Sequence, residues 1–247
     1  EIFIPMSKDQ ETLSDWHNTW VSIEDGGPLR WKSEEKTGNF EFAYQYLVQK
    51  NVVGKESSIF IPLAGDCPFV PYAYSQGSHV VANEQVDIAV TRMLKAKDFE
   101  NTTFSSTSLP ESESPCADLQ WISTDKKVTV FQTSLFNIKG GAFTVDCIYD
   151  KDALGAIQPK DREIYVKFCK TVLKPGGHVL LEVKHRLDGF EGGGPPFHFE
   201  KETVEQCYGP DFQVLEHVPS FYPLVRPSWK QQAFLLVFKP NTASTQT

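Results

Sequence analysis

Short apolar runs separated by helix-length stretches constrain this chain more than any other feature. SSIFIPL, HVVANE, KKVTVFQTS, FTVDCIYD and HVLLEVKH read as strands, and residues 68–76, 85–97, 161–173 and 200–207 carry helical patterns between or after them. Strands alternating with helices predict a mostly parallel sheet covered on both faces. The last two apolar runs, FQVLEHVPSF and QQAFLLVFKP, have no helix between them and are expected to close one edge as an antiparallel pair. These seven runs predict an α/β sandwich built as one domain over 1–247. Residues 1–50 form a helical cap over the strand ends, with Ser14 or Asp15 opening a helix that carries Trp16 and Trp20, and a second helix over 39–50. Asp25-Gly26-Gly27-Pro28 is a turn between them, and the Ser/Thr/Pro/Glu-rich stretch 99–120 is expected to be a mobile surface loop.

Composition excludes several function classes. The chain has 247 residues, 40% hydrophobic and 23% charged, which supports a packed core and rules out a disordered tail or a fibre. No run approaches the roughly 18 apolar residues of a membrane span, and EIFIPMSKDQ does not read as a signal peptide. With 24 basic against 32 acidic residues the net charge is −8, and no basic stripe is present, so neither nucleic acid nor a membrane is the expected partner. Five scattered cysteines without metal or redox spacing read as reduced thiols in a cytoplasmic protein. The six histidines are equally dispersed, and no metal is expected.

In an open parallel sheet, ligands bind beyond the carboxyl ends of the strands, where the strand order reverses. The first strand runs into Leu63-Ala64-Gly65, and the second ends at Glu84, nineteen residues after the glycine. A tight glycine turn admits a ligand to the backbone, and a carboxylate at the next strand end can accept bonds from two ribose hydroxyls. That spacing suits a nucleoside, and it equally suits a plain turn with a solvated glutamate. The stretch PLAGDCPFVPYAYSQG lacks the full glycine triplet of a dinucleotide site, and Asp66 would repel a pyrophosphate. A cationic sulfonium would be better tolerated there. Asp150 and Lys151 close the strand FTVDCIYD at the same rim; either they line a reaction point, or Asp150 caps the next turn and Lys151 is solvated. Trp16 and Trp20 share one helical face, as core residues or as an aromatic wall for a sulfonium or adenine.

Taken together, LSDWHNTWV, IFIPLAG, GSHVVANE, TSLFNI, IYDKDALGAIQPKDREIYV, GGGPPFHF and RPSW resemble, in order over 12–238, the thiopurine S-methyltransferase family. The resemblance implies a Rossmann-like class I methyltransferase fold, a seven-stranded sheet and S-adenosyl-L-methionine as cofactor. It places cofactor contacts at Trp16, Trp20, Leu63, Gly65, Glu84, Ser134, Leu135 and Lys151. Trp31, with Leu29 as the other candidate, is implied to touch both cofactor and acceptor. Pro195, Pro196 and Arg226 are implied on the acceptor side, and Asp150 and Lys151 at the chemistry. It also implies a small-molecule methyl acceptor and a protein that acts as a monomer.

Three departures from the family pattern stand out. The usual Asp-Arg-Gly-Ala-Leu reads Asp150-Lys151-Asp152-Ala153-Leu154, which keeps the cation but loses the planar fork. The common Cys-Gly-Lys reads Ala64-Gly65-Asp66, and Val-Gly-Val-Glu reads Val81-Ala82-Asn83-Glu84. Methyl transfer to the sulfur of a small thiol is the implied reaction. The same fold also serves halide, thiocyanate, amine or carboxylate acceptors, and a binding relative without turnover is the third reading.

Overall fold

A computed structural model of the chain describes residues 16–23, 39–109, 118–187, 195–222 and 228–240. Trp31, Leu29 and Arg226 lie outside the described residues, as do Ser14, Asp15 and the turn at 25–28. Helix α1 covers residues 16–23 and α2 covers Asn39–Gln49. There follow β1 (Ser58–Ile61), α3 (Phe69–Ser75), β2 (His79–Asn83), α4 (Asp87–Leu94), β3 (Phe104–Ser108), β4 (Leu119–Ser123) and β5 (Val128–Gln132). The chain continues through β6 (Val145–Lys151), α5 (Ala153–Ala156), α6 (Arg162–Val172), β7 (Leu173–Arg186), α7 (Lys201–Tyr208), β8 (Phe212–Val218) and β9 (Trp229–Phe238).

Among the described residues, nine strands join one sheet in the order β3-β4-β5-β2-β1-β6-β7-β9-β8. The pairs β5–β2, β2–β1, β1–β6 and β6–β7 are parallel, and β9 runs antiparallel to both β7 and β8. The strand count corrects the expected seven. Two further strands, β3 and β4, form an antiparallel hairpin on the β5 edge, with Phe104 opposite Ser123 and Ser108 opposite Leu119. Part of the stretch expected to be a loop is therefore paired backbone. Its FSSTS run is exposed except at Phe104, so edge hydrogen bonding rather than apolar alternation makes it a strand, and the sequence hides it.

Two apolar layers sandwich the sheet. One holds Leu47, Ile59, Phe69, Val80, Val90, Tyr149 and Leu180; the other holds Phe60, Phe131, Ile148, Tyr165, Phe168, Leu181 and Phe234. Helix α6 shows why: Tyr165, Val166, Phe168, Cys169 and Val172 recur at three- and four-residue spacing and bury one face. Each such fully buried side chain contributes roughly 1.5–3 kcal/mol. Gly177 sits in the turn before the apolar half of β7, where a Cβ would come 2.8 Å from the Lys174 carbonyl, so only glycine closes that turn. The strand order reverses direction at β1, between β2 and β6, and the loops after β1, β2, β5, β6 and β7 converge there.

Candidate functional site

The loop after β1 is the first wall of the crevice. Leu63 and Gly65 both sit at positive φ, +44° and +57°, a conformation stored at loop sites that must hold a fixed shape. A Cβ on Gly65 would stand 3.3 Å from the Trp20 ring, so glycine is required both by the backbone and by the close approach of α1. Trp20 is buried with Ile23, Val86 and Ala89, and Trp16 packs against the same cluster. The two tryptophans thus belong to one small core, and Trp20 in the same act roofs the first loop.

Glu84 faces this loop from the end of β2. One carboxylate oxygen accepts the Gly65 N–H at 2.8 Å, and the other accepts those of Gln85 and Val86, each at 2.8 Å. Burial raises the Glu84 pKa, and the three backbone donors partly oppose that rise. Four lone-pair positions with three donors leave acceptor capacity on the side shared with Gly65. Asn83, the polar residue that replaces an apolar one, braces the neighbouring strand end. Its side-chain amide donates to the Phe131 and Thr133 carbonyls at 3.2 and 2.8 Å, and its backbone carbonyl accepts the Ala64 N–H at 2.7 Å. It therefore ties the first loop to the β5 end, where Ser134 opens a single 3-10 turn over Leu135–Asn137. Leu135 is buried in the apolar layer beneath that turn.

The reversed charge at Asp66 is paired. Arg92 Nε on α4 donates to the Asp66 carboxylate at 3.1 Å, and the guanidinium lies 5.9 Å from the Trp20 ring centre. Loop, cap helix and α4 are linked through these three side chains.

Alternation along β6 sends its two candidate residues to opposite faces of the sheet. Asp150 is fully buried on the α6 side. It accepts the Ala153 and Leu154 N–H groups at 2.8 and 3.1 Å and the Tyr165 hydroxyl at 2.5 Å. Burial pushes its carboxyl up to about 7, against the pull of those three donors. The structure therefore places Asp150 at the start of α5, whose first N–H groups it caps, with no exposed surface of its own. Lys151 points the other way, 24% exposed, and donates to Glu182 at 2.9 Å. The two are direct partners in the β6–β7 register. Burial alone would draw the Lys151 ammonium down; the charges of Glu182 and Asp152 outweigh it and hold its pKa above the ordinary value.

Glu182 is the residue that sequence reasoning missed. It is fully buried and gathers the Tyr149 and Tyr222 hydroxyls, both at 2.6 Å, in addition to Lys151. The signal was a lone acid inside the apolar run HVLLEVKH, since a buried carboxylate demands partners. Tyr222 also lies 4.9 Å beneath the Lys151 ammonium. Pro195 and Pro196, joined by a cis bond, lead into Phe197, whose N–H donates to the Gly155 carbonyl at 2.7 Å. This strip lies against α5, next to Asp152, whose carboxylate accepts from Gln231 at 3.0 Å.

Near the end of β7, His185, His198 and Glu200 bring ligand-type atoms within 4.8 Å of one another. Hydrogen bonds account for the arrangement. His198 Nδ1 accepts the Arg186 N–H at 2.9 Å, so the proton sits on Nε2 and is given to Glu200 at 2.8 Å. A metal at Nε2 would have to displace that proton onto a nitrogen already facing a donor, so the donor set does not suit one.

A sequence model of the family described as "Thiopurine S-methyltransferase" matches residues 11–235, more than nine-tenths of the chain. The chain belongs to the thiopurine S-methyltransferase family. It is similar to the thiopurine S-methyltransferase of Bos taurus, at 25% identity over 85% of this chain and 81% of the other. With that of Vibrio atlanticus the identity is 30%, over 78% and 79% of the two chains. Among solved structures, a Burkholderia thailandensis 1,6-didemethyltoxoflavin-N1-methyltransferase with bound S-adenosylhomocysteine superposes with a TM-score of 0.59, at 14% identity, over 97% of this chain and 94% of that one. An S-adenosylmethionine-dependent methyltransferase of Clostridium acetobutylicum gives 0.58, at 11% identity, over 93% and 100%. These two share the fold. In the thiopurine S-methyltransferase family frame, Trp20, Gly65 and Glu84 meet at one place, Ser134 and Leu135 flank it on the next loop, and Lys151 stands across the switch point. No helix among the described residues is long and apolar enough to cross a membrane.

Proposed function

We propose that this protein is an S-adenosyl-L-methionine-dependent methyltransferase whose acceptor is the sulfur of a small thiol. The observation that carries the reading is the meeting of the Gly65 N–H with the Glu84 carboxylate at 2.8 Å under the Trp20 ring, at the switch point of a chain in this family. The residues fit an adenosyl group: a carboxylate with spare acceptor capacity for ribose hydroxyls, a glycine loop closely covered by Trp20, and the Ser134–Leu135 turn on the next loop for the base. Bound there, the cofactor would supply a sulfonium methyl group for in-line attack by a sulfur nucleophile, with S-adenosylhomocysteine as the leaving group.

The chain's own part is placement. Glu84 fixes the ribose end and the first loop at once, because the same carboxylate holds Gly65. Trp16 and Trp20 cover the loop and exclude water. Lys151, the Pro195–Pro196 strip and the aromatic residue Tyr222 stand on the acceptor side. Holding nucleophile and methyl in near-attack geometry supplies several kcal/mol without a strong base, which matches a site where Asp150 is committed to capping. The reading also takes the protein to be cytoplasmic and Trp31 and Arg226 to serve the acceptor. Calorimetric titration with S-adenosylmethionine and S-adenosylhomocysteine tests it, followed by mass-spectrometric detection of methylated thiols. Binding of both with methyl thioether formation supports the reading; a folded protein that binds neither overturns it.

A further inference from the structure

Lys151 replaces the family's usual arginine at a position where a cation would attract an anionic acceptor. Here that cation is already spent. Its ammonium donates to Glu182 at 2.9 Å and lies over the Tyr222 ring at 4.9 Å, while Asp152 follows it in the chain. Glu182 is fully buried and held by two tyrosine hydroxyls at 2.6 Å, so it does not swing away to release the lysine. Breaking such a buried pair leaves an uncompensated charge, which strongly disfavours it. Among the described residues, the charges on the Lys151 face of this end of β6 are thus one ammonium against two carboxylates, Glu182 and Asp152, while Asp150 is buried on the opposite face.

We infer that Glu182 is a specificity-determining residue that neutralises Lys151, so that the acceptor is a small thiol carrying no net negative charge, and not a halide, thiocyanate or carboxylate-bearing thiol. The inference rests on the methyltransferase reading and narrows its acceptor. The reaction balances simply. The new S–CH3 bond forms as the sulfonium S–CH3 bond breaks, the acceptor's S–H proton goes to water, and two neutral thioethers result. A paired cation offers an anionic acceptor no net attraction, and the extra carboxylate repels one.

The test uses the whole protein with phenylmethanethiol, its 4-carboxylate analogue and iodide as acceptors, with S-adenosylhomocysteine titrated first. Wild type should prefer the neutral thiol over its carboxylate by about tenfold in kcat/KM, the size of one lost charge contact. Glu182→Gln keeps the shape, since a glutamine can serve the tyrosines and the lysine together, but removes the charge. It should shift the carboxylate-to-neutral ratio about tenfold toward the anion. Adding Lys151→Met to that variant should abolish the shift, and thermal melts of each variant verify folding. Should Glu182→Gln melt early, the wild-type ratio alone still decides. Equal or better use of the anions by wild type, or a ratio unmoved in a folded Glu182→Gln, overturns the inference. Absence of S-adenosylhomocysteine binding would instead overturn the methyltransferase reading and this inference with it, a separate result from binding with indiscriminate acceptor use.

Discussion

Asp150→Asn separates a capping role from a chemical one. Burial raises the Asp150 carboxyl from the ordinary aspartate range near 3.9 to about 7, so the folded chain binds a proton that the unfolded chain releases. Its contribution to stability is fully present below about pH 4 and is lost as pH rises through about 7. Between pH 5 and pH 8 the loss integrates to about 2–3 kcal/mol for that shift. Asparagine removes the titration while keeping the bonds: its carbonyl can accept the Ala153 and Leu154 N–H groups, and its amide can donate to the Tyr165 oxygen. Urea unfolding of wild type and Asp150→Asn at pH 5 and pH 8 should show the variant's pH dependence flatter by about 2–3 kcal/mol, with methyl transfer retained. Asp150→Ala should instead lose about 3–5 kcal/mol at pH 5, because three buried donors are left unmet, and less at pH 8, where wild type has lost the same pH-dependent contribution. An unchanged pH slope in Asp150→Asn, or loss of activity without any change in stability, would refute the capping account.

Three further outcomes follow from the first loop. Glu84→Ala strands the N–H groups of Gly65, Gln85 and Val86; calorimetry should show S-adenosylhomocysteine binding lost and melting should show about 2–4 kcal/mol less stability, with intact binding refuting the ribose assignment. Gly65→Ala forces a side chain at φ +57° against Trp20, costing about 1–2 kcal/mol and weakening the same binding more than stability, readable by both measurements. Asp66→Ala and Arg92→Ala should each shift Trp20 fluorescence, and the double variant should be no worse than either single one, with a coupling of about 0.5–1 kcal/mol. Strict additivity there would mean that the pair does not link loop and cap.

The sequence made the parallel core legible because burial on both faces leaves little freedom: IFIP, HVVA, VTVF, VDCIY and HVLLEV are near-continuous apolar runs, and each became a strand. The antiparallel end was legible from a missing helix. The β3–β4 hairpin was not, since FSSTS is stabilised by backbone pairing at an edge and carries almost no apolar signal. In the site, Gly65 and Glu84 were found from spacing, and their direct bond is what spacing alone cannot show. Asp150 and Lys151 looked alike as strand-end residues, because a period of two gives opposite faces without saying which is open. Glu182, Tyr222 and Arg92 come from three separate segments, and only the fold brings them to Lys151 and Asp66, just as it alone brings Tyr165 to Asp150.

The departures from the family pattern are also where the rival account of a chain that kept the fold and lost turnover finds its motive. That account needs the altered charges to stand uncompensated in the cleft. Each is matched instead. Asp66 meets Arg92 from α4, Lys151 meets Glu182 across the β6–β7 register, and Asn83 spends its amide on two carbonyls of the β5 end. Such pairing costs desolvation that plain apolar residues would not, and it leaves the Gly65–Glu84 contact and its roof intact. A cleft with its nucleoside end kept whole and only its acceptor-side charge cancelled is what a change of acceptor requires. Loss of turnover requires neither, which is why the matched charges support an active enzyme with a neutral substrate over an inert relative.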